Sequence, residues 1–164
     1  MENSLATLQA LVCDVDGVLT DGTIWYDNEG REWKGFSARD GLIIKALIRS
    51  TVPVGWITGR NSTIVARRAQ ELGVSFLQQG VADKDVMLRH FSEETGVPLS
   101  SIAYIGDDWN DWPAMQLAGF SACPQDAANA IQQRVDWVIP AAGGRGVVRT
   151  FVERWKGVDF GQPY

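Results

Sequence analysis

The chain has 164 residues, 45% of them hydrophobic and 21% charged, the profile of a one-domain globular protein with a real core and no room for a second full domain. Its formal net charge is −5 at pH 7 and its sequence pI about 4.8, which excludes a broad electrostatic footprint for nucleic acid or an anionic membrane. An anionic ligand must therefore be met by a local cationic pocket.

The start, Met1-Glu2-Asn3-Ser4-Leu5, lacks a positive segment followed by a long apolar core, and no apolar run approaches 18 residues. The expectation is a cytoplasmic protein. Apolar residues from Leu8 to Cys13 form the short continuous run of a strand covered on both faces, and the run ends in Asp14, Asp16 and Gly17. Thr23-Ile24-Trp25-Tyr26, the polar turn Asp27-Asn28-Glu29-Gly30 and Arg31 to Phe36 read as a hairpin. A lone hairpin is marginal in water, so Trp25, Tyr26 and Trp33 are expected to pack on the domain or on another subunit.

Asp40 is the expected N-cap of a helix with Leu42, Ile43, Ala46 and Leu47 on its apolar face. A strand over 53–58 follows, then a helix from Ser62 with Ile64, Val65, Ala69 and Leu72 inward and Gly73 as its stop. Ser75 to Leu77 reads as a strand, and Asp83 caps a helix over 84–94 with Val86, Met87 and Phe91 inward. The pattern continues with a strand over 101–105, a helix over 112–118, a strand over 120–123, a helix capped by Asp126, a strand over 137–139 and a helix over 147–155. Strands alternating with helices of this length imply a parallel sheet with helices on both faces, a Rossmann-like three-layer α/β sandwich. The expected domain spans 1–156, and the Gly- and Pro-bearing tail 157–164 is expected to fray. Cys13 and Cys123, both in apolar strand contexts, read as buried free thiols, and His90, mid-helix, as structural.

Chemistry-bearing residues gather at the carboxyl ends of the strands, where open α/β sheets bind ligands. Asp14 and Asp16 follow the first, Thr58-Gly59-Arg60 the second, Lys84 comes shortly after the third, and Asp107, Asp108 and Asp111 follow the fourth. Carboxylates without His or Cys make a hard oxygen site that suits Mg2+ rather than zinc. A Thr hydroxyl, the N–H groups of a glycine turn and a nearby lysine can cradle a phosphate. Together these parts describe phosphoryl transfer.

Asp14-Val-Asp16-Gly17-Val-Leu-Thr20-Asp21-Gly22, Ile57-Thr58-Gly59-Arg60, Lys84 and Gly106-Asp107-Asp108-x-Asn110-Asp111 resemble, in order, the four motifs of the haloacid dehalogenase-like phosphatases. Gly35 to Gly41, Arg67 to Gly73, Gln79 to Lys84 and Gly143 to Gly146 narrow the resemblance to members acting on 3-deoxy-D-manno-octulosonate 8-phosphate, in lipopolysaccharide precursor synthesis. The resemblance implies Asp14 as nucleophile and Asp16 as general acid and base. It implies magnesium on the Asp14 carboxylate, the Asp16 main-chain carbonyl and Asp107, with Asp108 and Asp111 as supports. Thr58, Gly59 and Lys84 would hold the phosphoryl group. Arg39, Arg60, Arg68 and Arg145 would meet the sugar acid.

The gaps between the motifs leave no room for a cap domain, so the resemblance implies a homotetramer in which hairpins associate and an adjoining subunit completes each site. Arg60 after Thr58-Gly59 favours the eight-carbon sugar acid over a nine-carbon relative, since the resemblance puts an acidic residue there in the nine-carbon enzymes. Two alternatives stand beside this reading. A receiver domain expects its acid pair after the first strand and its phosphorylated Asp after the third, whereas here the trio follows the fourth. A catalytically idle phosphosugar-binding module is opposed by the presence of every expected catalytic side chain. Trp109 and Trp112, flanking Asn110, depart from the smaller residues expected there and could reshape the floor of the cleft.

Overall fold

Ala10–Cys13 form β1, four consecutive apolar residues with no exposed surface, at the centre of a six-stranded sheet. The computed structural model describes residues 5–157. Of the expected tail, only Gly157 falls within that span. The other strands are β2 (Trp25–Tyr26), β3 (Glu32–Trp33), β4 (Val54–Ile57), β5 (Phe76–Gln78), β6 (Ile102–Ile105), β7 (Phe120–Pro124) and β8 (Trp137–Ile139). The helices are α1 (Ala38–Arg49), α2 (Thr63–Leu72), α3 (Lys84–Thr95), α4 (Trp112–Leu117), α5 (Asn129–Gln132) and α6 (Val147–Lys156), with a 3-10 turn at Leu99–Ser101.

The sheet order is β5-β4-β1-β6-β7-β8, all parallel, and the Rossmann-like three-layer architecture expected from the alternation is present. Side chains of a strand point alternately to the two faces, which divides the core. Leu11 and Cys13 of β1, with Ala103 and Ile105 of β6, pack on α1, α2 and α6 through Ile43, Leu47, Val65, Leu72, Phe151 and Trp155. Ala10 and Val12, with Ile102 and Tyr104, pack on α3, α4 and α5 through Leu88, Phe91, Met115 and Ile131. Each fully buried Leu, Ile or Phe is worth about 1.5–3 kcal/mol. Cys13 and Cys123 are buried free thiols, as expected. Among the described residues no helix is long and apolar enough to cross a membrane.

Several expected details are corrected. The opening strand begins at Ala10 rather than Leu8, because Gln9 donates its N–H to the Ser101 carbonyl below the ladder (2.8 Å). Asp40 does not cap its own helix. Ser37 does, accepting from the Asp40 N–H (3.3 Å). The buried Asp40 carboxylate accepts instead from the Arg149 N–H (2.8 Å), closing the first turn of α6, 109 residues away. Asp126 likewise caps no helix and accepts from the Gly143 N–H (2.9 Å). In α3 the inward residues are Lys84, Leu88 and Phe91, whereas Val86 is exposed. In α1 Ile44 replaces the exposed Leu42 in the core. Sequence spacing marked a face correctly in both helices but set its centre one position off.

The hairpin is short, pairing Trp25 with Trp33 and Tyr26 with Glu32, and its turn is fastened by Asp27, which accepts from the Glu29 and Arg31 N–H groups (2.9 Å each). Trp25 and Trp33 are each 61% exposed. Of the two expected packings, on the domain or on another subunit, the first is not made by Trp25 and Trp33, whereas the Tyr26 hydroxyl accepts from Arg60 of the domain (2.9 Å).

Candidate active site

After β1 the chain runs to β4 and β5 on one side, then returns to β6 on the other, so the strand order reverses between β1 and β6. A crevice opens at such a reversal, outside the carboxyl ends of the strands. Asp14 follows β1 and Asp107 follows β6, on the two lips of that crevice. The Asp14 N–H donates to the Ile105 carbonyl (2.9 Å), which locks the acid to the neighbouring strand. Gly17 adopts φ +93, and a Cβ there would overlap the Asp107 carboxylate, so only glycine lets the two loops close on each other.

Lys84 is the first residue of α3, yet its side chain is shut off from solvent. Its ammonium lies 2.9 Å from Asp14 and 2.7 Å from Asp111. Asp111, fully buried, also accepts from the Tyr104 hydroxyl (2.9 Å) and from the Asp107 and Asp108 N–H groups (3.1 and 3.3 Å). Its oxygens are thus spoken for, and its work is to hold Lys84 and the 107–108 turn. Asp14 and Asp107 keep capacity for a ligand. Asp108 is exposed and caps the next N–H, that of Trp109 (2.7 Å).

Asp14, Asp16, Gly22, Thr58, Gly59, Arg60, Asp107, Asp108 and Asn110 line one cavity of about 250 Å³. Thr58 is buried there, its N–H donating to the Gln78 carbonyl (2.9 Å) and its carbonyl accepting from Val81 (3.1 Å). The sequence-expected residues that meet in this cavity are therefore the two acids after β1, the Thr-Gly-Arg turn and the acids after β6, with Lys84 beneath.

The remaining arginines are not brought to it. Arg39 and Arg145 are exposed and line an adjoining cavity of about 500 Å³ with Asp21, Phe36 and Gly144. Arg68 pairs with Glu71 (2.9 Å) and stacks its guanidinium over the Phe36 ring (6.0 Å). Arg60, although it lines the cavity, is held by the Tyr26 hydroxyl (2.9 Å) and Glu32 (3.3 Å). Trp109 is 67% exposed and does not line the cavity floor, and Trp112 packs toward the α3–α5 face of the core. His90 is exposed on α3 and takes no part.

Two polar groups escaped the sequence reading. Lys34 makes an ion pair with Asp16 and lies 3.5 Å from Glu32, with its side chain inaccessible to solvent. Glu32 accepts from the Ser62 hydroxyl (2.5 Å) as well as from Arg60. The signal was present in the period-two alternation of Glu32-Trp33-Lys34. It turns charged residues toward the domain and the tryptophan outward, the inverse of a surface strand.

Electrostatics at the acids favour a bound cation. Burial, reinforced by Asp111 and opposed by Lys84, pushes Asp14 well above the usual carboxylate range. The same causes push Asp107 up to about 7. Lys84 loses some basicity to burial, but Asp14 and Asp111 outweigh this and hold its ammonium above the ordinary lysine value. One ligand oxygen each from Asp14, Asp107 and Asp111 lie within 4.8 Å of one another, with the Lys84 ammonium on Asp14 Oδ1 (2.9 Å). Buried, crowded and oxygen-only, the cluster fits a hard divalent ion such as Mg2+.

A pH dependence follows from these shifts. Between the unfolded carboxylate value near 4 and the folded value near 7, the metal-free fold holds protons that the unfolded chain has lost, so its stability falls as pH rises through that window. Magnesium held by these acids would displace those protons. Saturating Mg2+ is therefore expected to raise the melting temperature more at pH 8 than at pH 5, by about 5–10 °C at the higher pH. Equal shifts at both values in a thermal melt would overturn the assignment.

Residues 74–151 match the family model for haloacid dehalogenase-like hydrolases. The 3-deoxy-D-manno-octulosonate 8-phosphate phosphatase KdsC of Yersinia pestis is 41% identical over 144 residues, covering 88% of this chain and 77% of that protein. The crystal structure of the corresponding phosphatase from Moraxella catarrhalis, in complex with magnesium, phosphate and KDO, superposes with a TM-score of 0.92. It is 37% identical, covering 97% of this chain and 92% of that one. The cobalt-bound phosphatase of Haemophilus influenzae gives a TM-score of 0.89 at 36% identity, covering 93% and 89% of the two chains.

Proposed function

Because the chain belongs to the haloacid dehalogenase-like hydrolases, and within them to the 3-deoxy-D-manno-octulosonate 8-phosphate phosphatases, we propose that it releases phosphate from that sugar acid through a phosphorylated Asp14. The observation that carries this reading is Lys84, buried between Asp14 and Asp111 at the strand-order reversal, with Asp107 on the opposite lip. A nucleophilic carboxylate needs its charge balanced without being blocked. A lysine on one of its oxygens does that.

In the first half-reaction an Asp14 oxygen attacks phosphorus and the bond to the sugar oxygen breaks. That oxygen leaves with its electron pair and takes a proton from the Asp16 carboxyl. In the second, water attacks the phosphorus, Asp16 accepts the proton, and the bond to Asp14 breaks, regenerating the carboxylate. The Thr58 hydroxyl and the Gly59 N–H hold the transferring oxygens, and Lys84 balances the charge passing between Asp14 and the phosphoryl group. Mg2+, held by Asp14, Asp107 and the Asp16 main-chain carbonyl, would neutralise the phosphoryl oxygens when bound.

The acid end of the substrate is assigned to the cationic side of the crevice: Arg60 on its rim, with Arg39 and Arg145 in the adjoining cavity. Arg68, engaged by Glu71 and Phe36, lies outside this subunit's cavity and is left to act from an adjoining copy. The reading places the protein in the cytoplasm, in lipopolysaccharide precursor synthesis.

Assembly as a homotetramer is supported by the hairpin, whose cross-strand partners Trp25 and Trp33 are both exposed on a two-stranded element too small to stand alone. Replacing Trp25 and Trp33 together by Ser is expected to convert the tetramer to smaller species in sedimentation velocity, leaving the monomer folded. A wild-type chain that sediments as a monomer would sink the assembly.

The function is tested by phosphate release with Mg2+ from 3-deoxy-D-manno-octulosonate 8-phosphate, its nine-carbon analogue and an aryl phosphate. The expected result is a strong preference for the eight-carbon ester. Equal, feeble rates on all three would refute the substrate, and no release at all would refute the reaction.

A further inference from the structure

Lys34 has no part in the two half-reactions, yet its side chain is wholly withdrawn from solvent. An ammonium tolerates burial only when it is paired. Here the Glu32 carboxylate, two residues before Lys34 in the hairpin, balances its charge, and Asp16, in the loop after β1, accepts its hydrogen bond through Oδ1. Glu32 is itself fastened to the loop after β4, through the Ser62 hydroxyl (2.5 Å) and Arg60 (3.3 Å). Burial works against its charge, but Ser62, Lys34 and Arg60 outweigh it and hold the Glu32 carboxyl below its ordinary value. The ammonium of Lys34 therefore sits on a braced support rather than on a free hairpin.

The state of Asp16 gives this arrangement its meaning. Its Oδ1 is taken by Lys34, whereas its Oδ2 is buried and has no hydrogen-bond partner. Asp16 also lines the cavity that holds Asp14 and Thr58. With one oxygen clamped, the other is the oxygen left to exchange a proton with the substrate.

We infer that Lys34 is a positioning residue for the reaction: it fixes the Asp16 carboxyl so that Oδ2 meets the leaving oxygen. The inference rests on the phosphatase reading above. As the bond from phosphorus to the sugar oxygen breaks, the electron pair goes to that oxygen and the proton passes to it from Asp16 Oδ2. Negative charge is left on the Asp16 carboxylate, already facing the Lys34 ammonium. An ionic hydrogen bond that is in place before the charge develops stabilises the transition state without reorganisation.

The role makes a distinction that mere structural support does not. An alkyl oxygen such as that of the sugar phosphate cannot leave readily without a proton, whereas 4-nitrophenolate can. Lys34→Met is therefore compared with wild type on 3-deoxy-D-manno-octulosonate 8-phosphate at steady state and on 4-nitrophenyl phosphate in the first turnover. The expected result is a fall in kcat of about 100-fold on the sugar ester, the size of a general-acid contribution, with first-turnover nitrophenolate release kept within about threefold. KM for the sugar ester should change by less than about threefold, and Lys34→Arg should restore most of the loss. Lys34→Gln runs the same comparison if the methionine variant does not fold. An equal fall on both esters, or no fall on the sugar ester, overturns the role of Lys34 and leaves the phosphatase reading standing. Wild-type protein that releases nothing from either ester overturns the reading and the role of Lys34 with it.

Discussion

Asp14→Asn is expected to lower phosphate release by about 10⁴-fold or more, because the amide cannot supply the attacking oxygen. The fold should survive, since Asn keeps the shape of the side chain and Lys84 keeps its ion pair with Asp111. The variant should even gain stability in the absence of metal. Burial and the neighbouring Asp111 make the Asp14 charge costly, and the neutral amide removes that cost. The gain is expected to be largest at pH 8 and to shrink as pH falls, disappearing only below the unfolded carboxylate value of about 4. The test pairs a phosphate-release assay with thermal melts at pH 8 and pH 5. Hydrolysis within tenfold of wild type would refute the nucleophile, and a stability gain that grew toward pH 5 would refute the electrostatic account.

Lys84→Met is expected to produce the largest loss of stability of any single change at the site. The methionine fills similar space but leaves Asp14 and Asp111 facing each other in a buried setting with no counter-charge. Breaking a buried pair in this way costs about 3–5 kcal/mol. For a domain of this size that is a drop of about 10 °C in melting temperature at pH 8. The deficit should shrink toward pH 5, because protonating Asp14, whose charge burial already disfavours, removes the repulsion that the lysine had offset. Turnover should be lost at both pH values, since the charge balance at Asp14 is lost too. A melting temperature within 2 °C of wild type at pH 8 would show that Lys84 does not neutralise the pair.

The two variants separate functions that meet on one ion pair. On the proposed mechanism Asp14 contributes chemistry at a cost in stability, and Lys84 offsets part of that cost while serving the same chemistry. Stability and reactivity thus share the β1–β6 crevice, with Tyr104 and Asp111 bracing it from the α3–α5 face of the core.

The alternation of apolar runs and helical spacings was enough to read the parallel sheet, and the acids, Thr58 and Lys84 were legible because parallel strands put their carboxyl ends on one edge whatever lies between them. Free buried cysteines followed from their apolar strand contexts. Caps were less legible. Asp40 and Asp126 have the chemistry of N-caps, but a carboxylate captures whichever N–H groups the fold brings near, and for both those groups belong to segments closer to the C-terminus. Arginines were least legible. A long flexible cation has no periodicity to betray its target, and Arg68 settled on Glu71 and Phe36 rather than beside the acids.

The sequence by itself determined the layer architecture, the strand ends that gather the polar residues and the oxygen-only character of the acid cluster. All three follow from local residue type and spacing. Only the tertiary structure decided that Lys34 reaches Asp16, that Asp111 is spent on Lys84 and Tyr104, and that the aromatic face of the hairpin points away from its own chain. Those outcomes depend on which side chains from distant segments arrive within 3–4 Å of each other. Ion pairs and hydrogen bonds act over distances that only the packed fold sets.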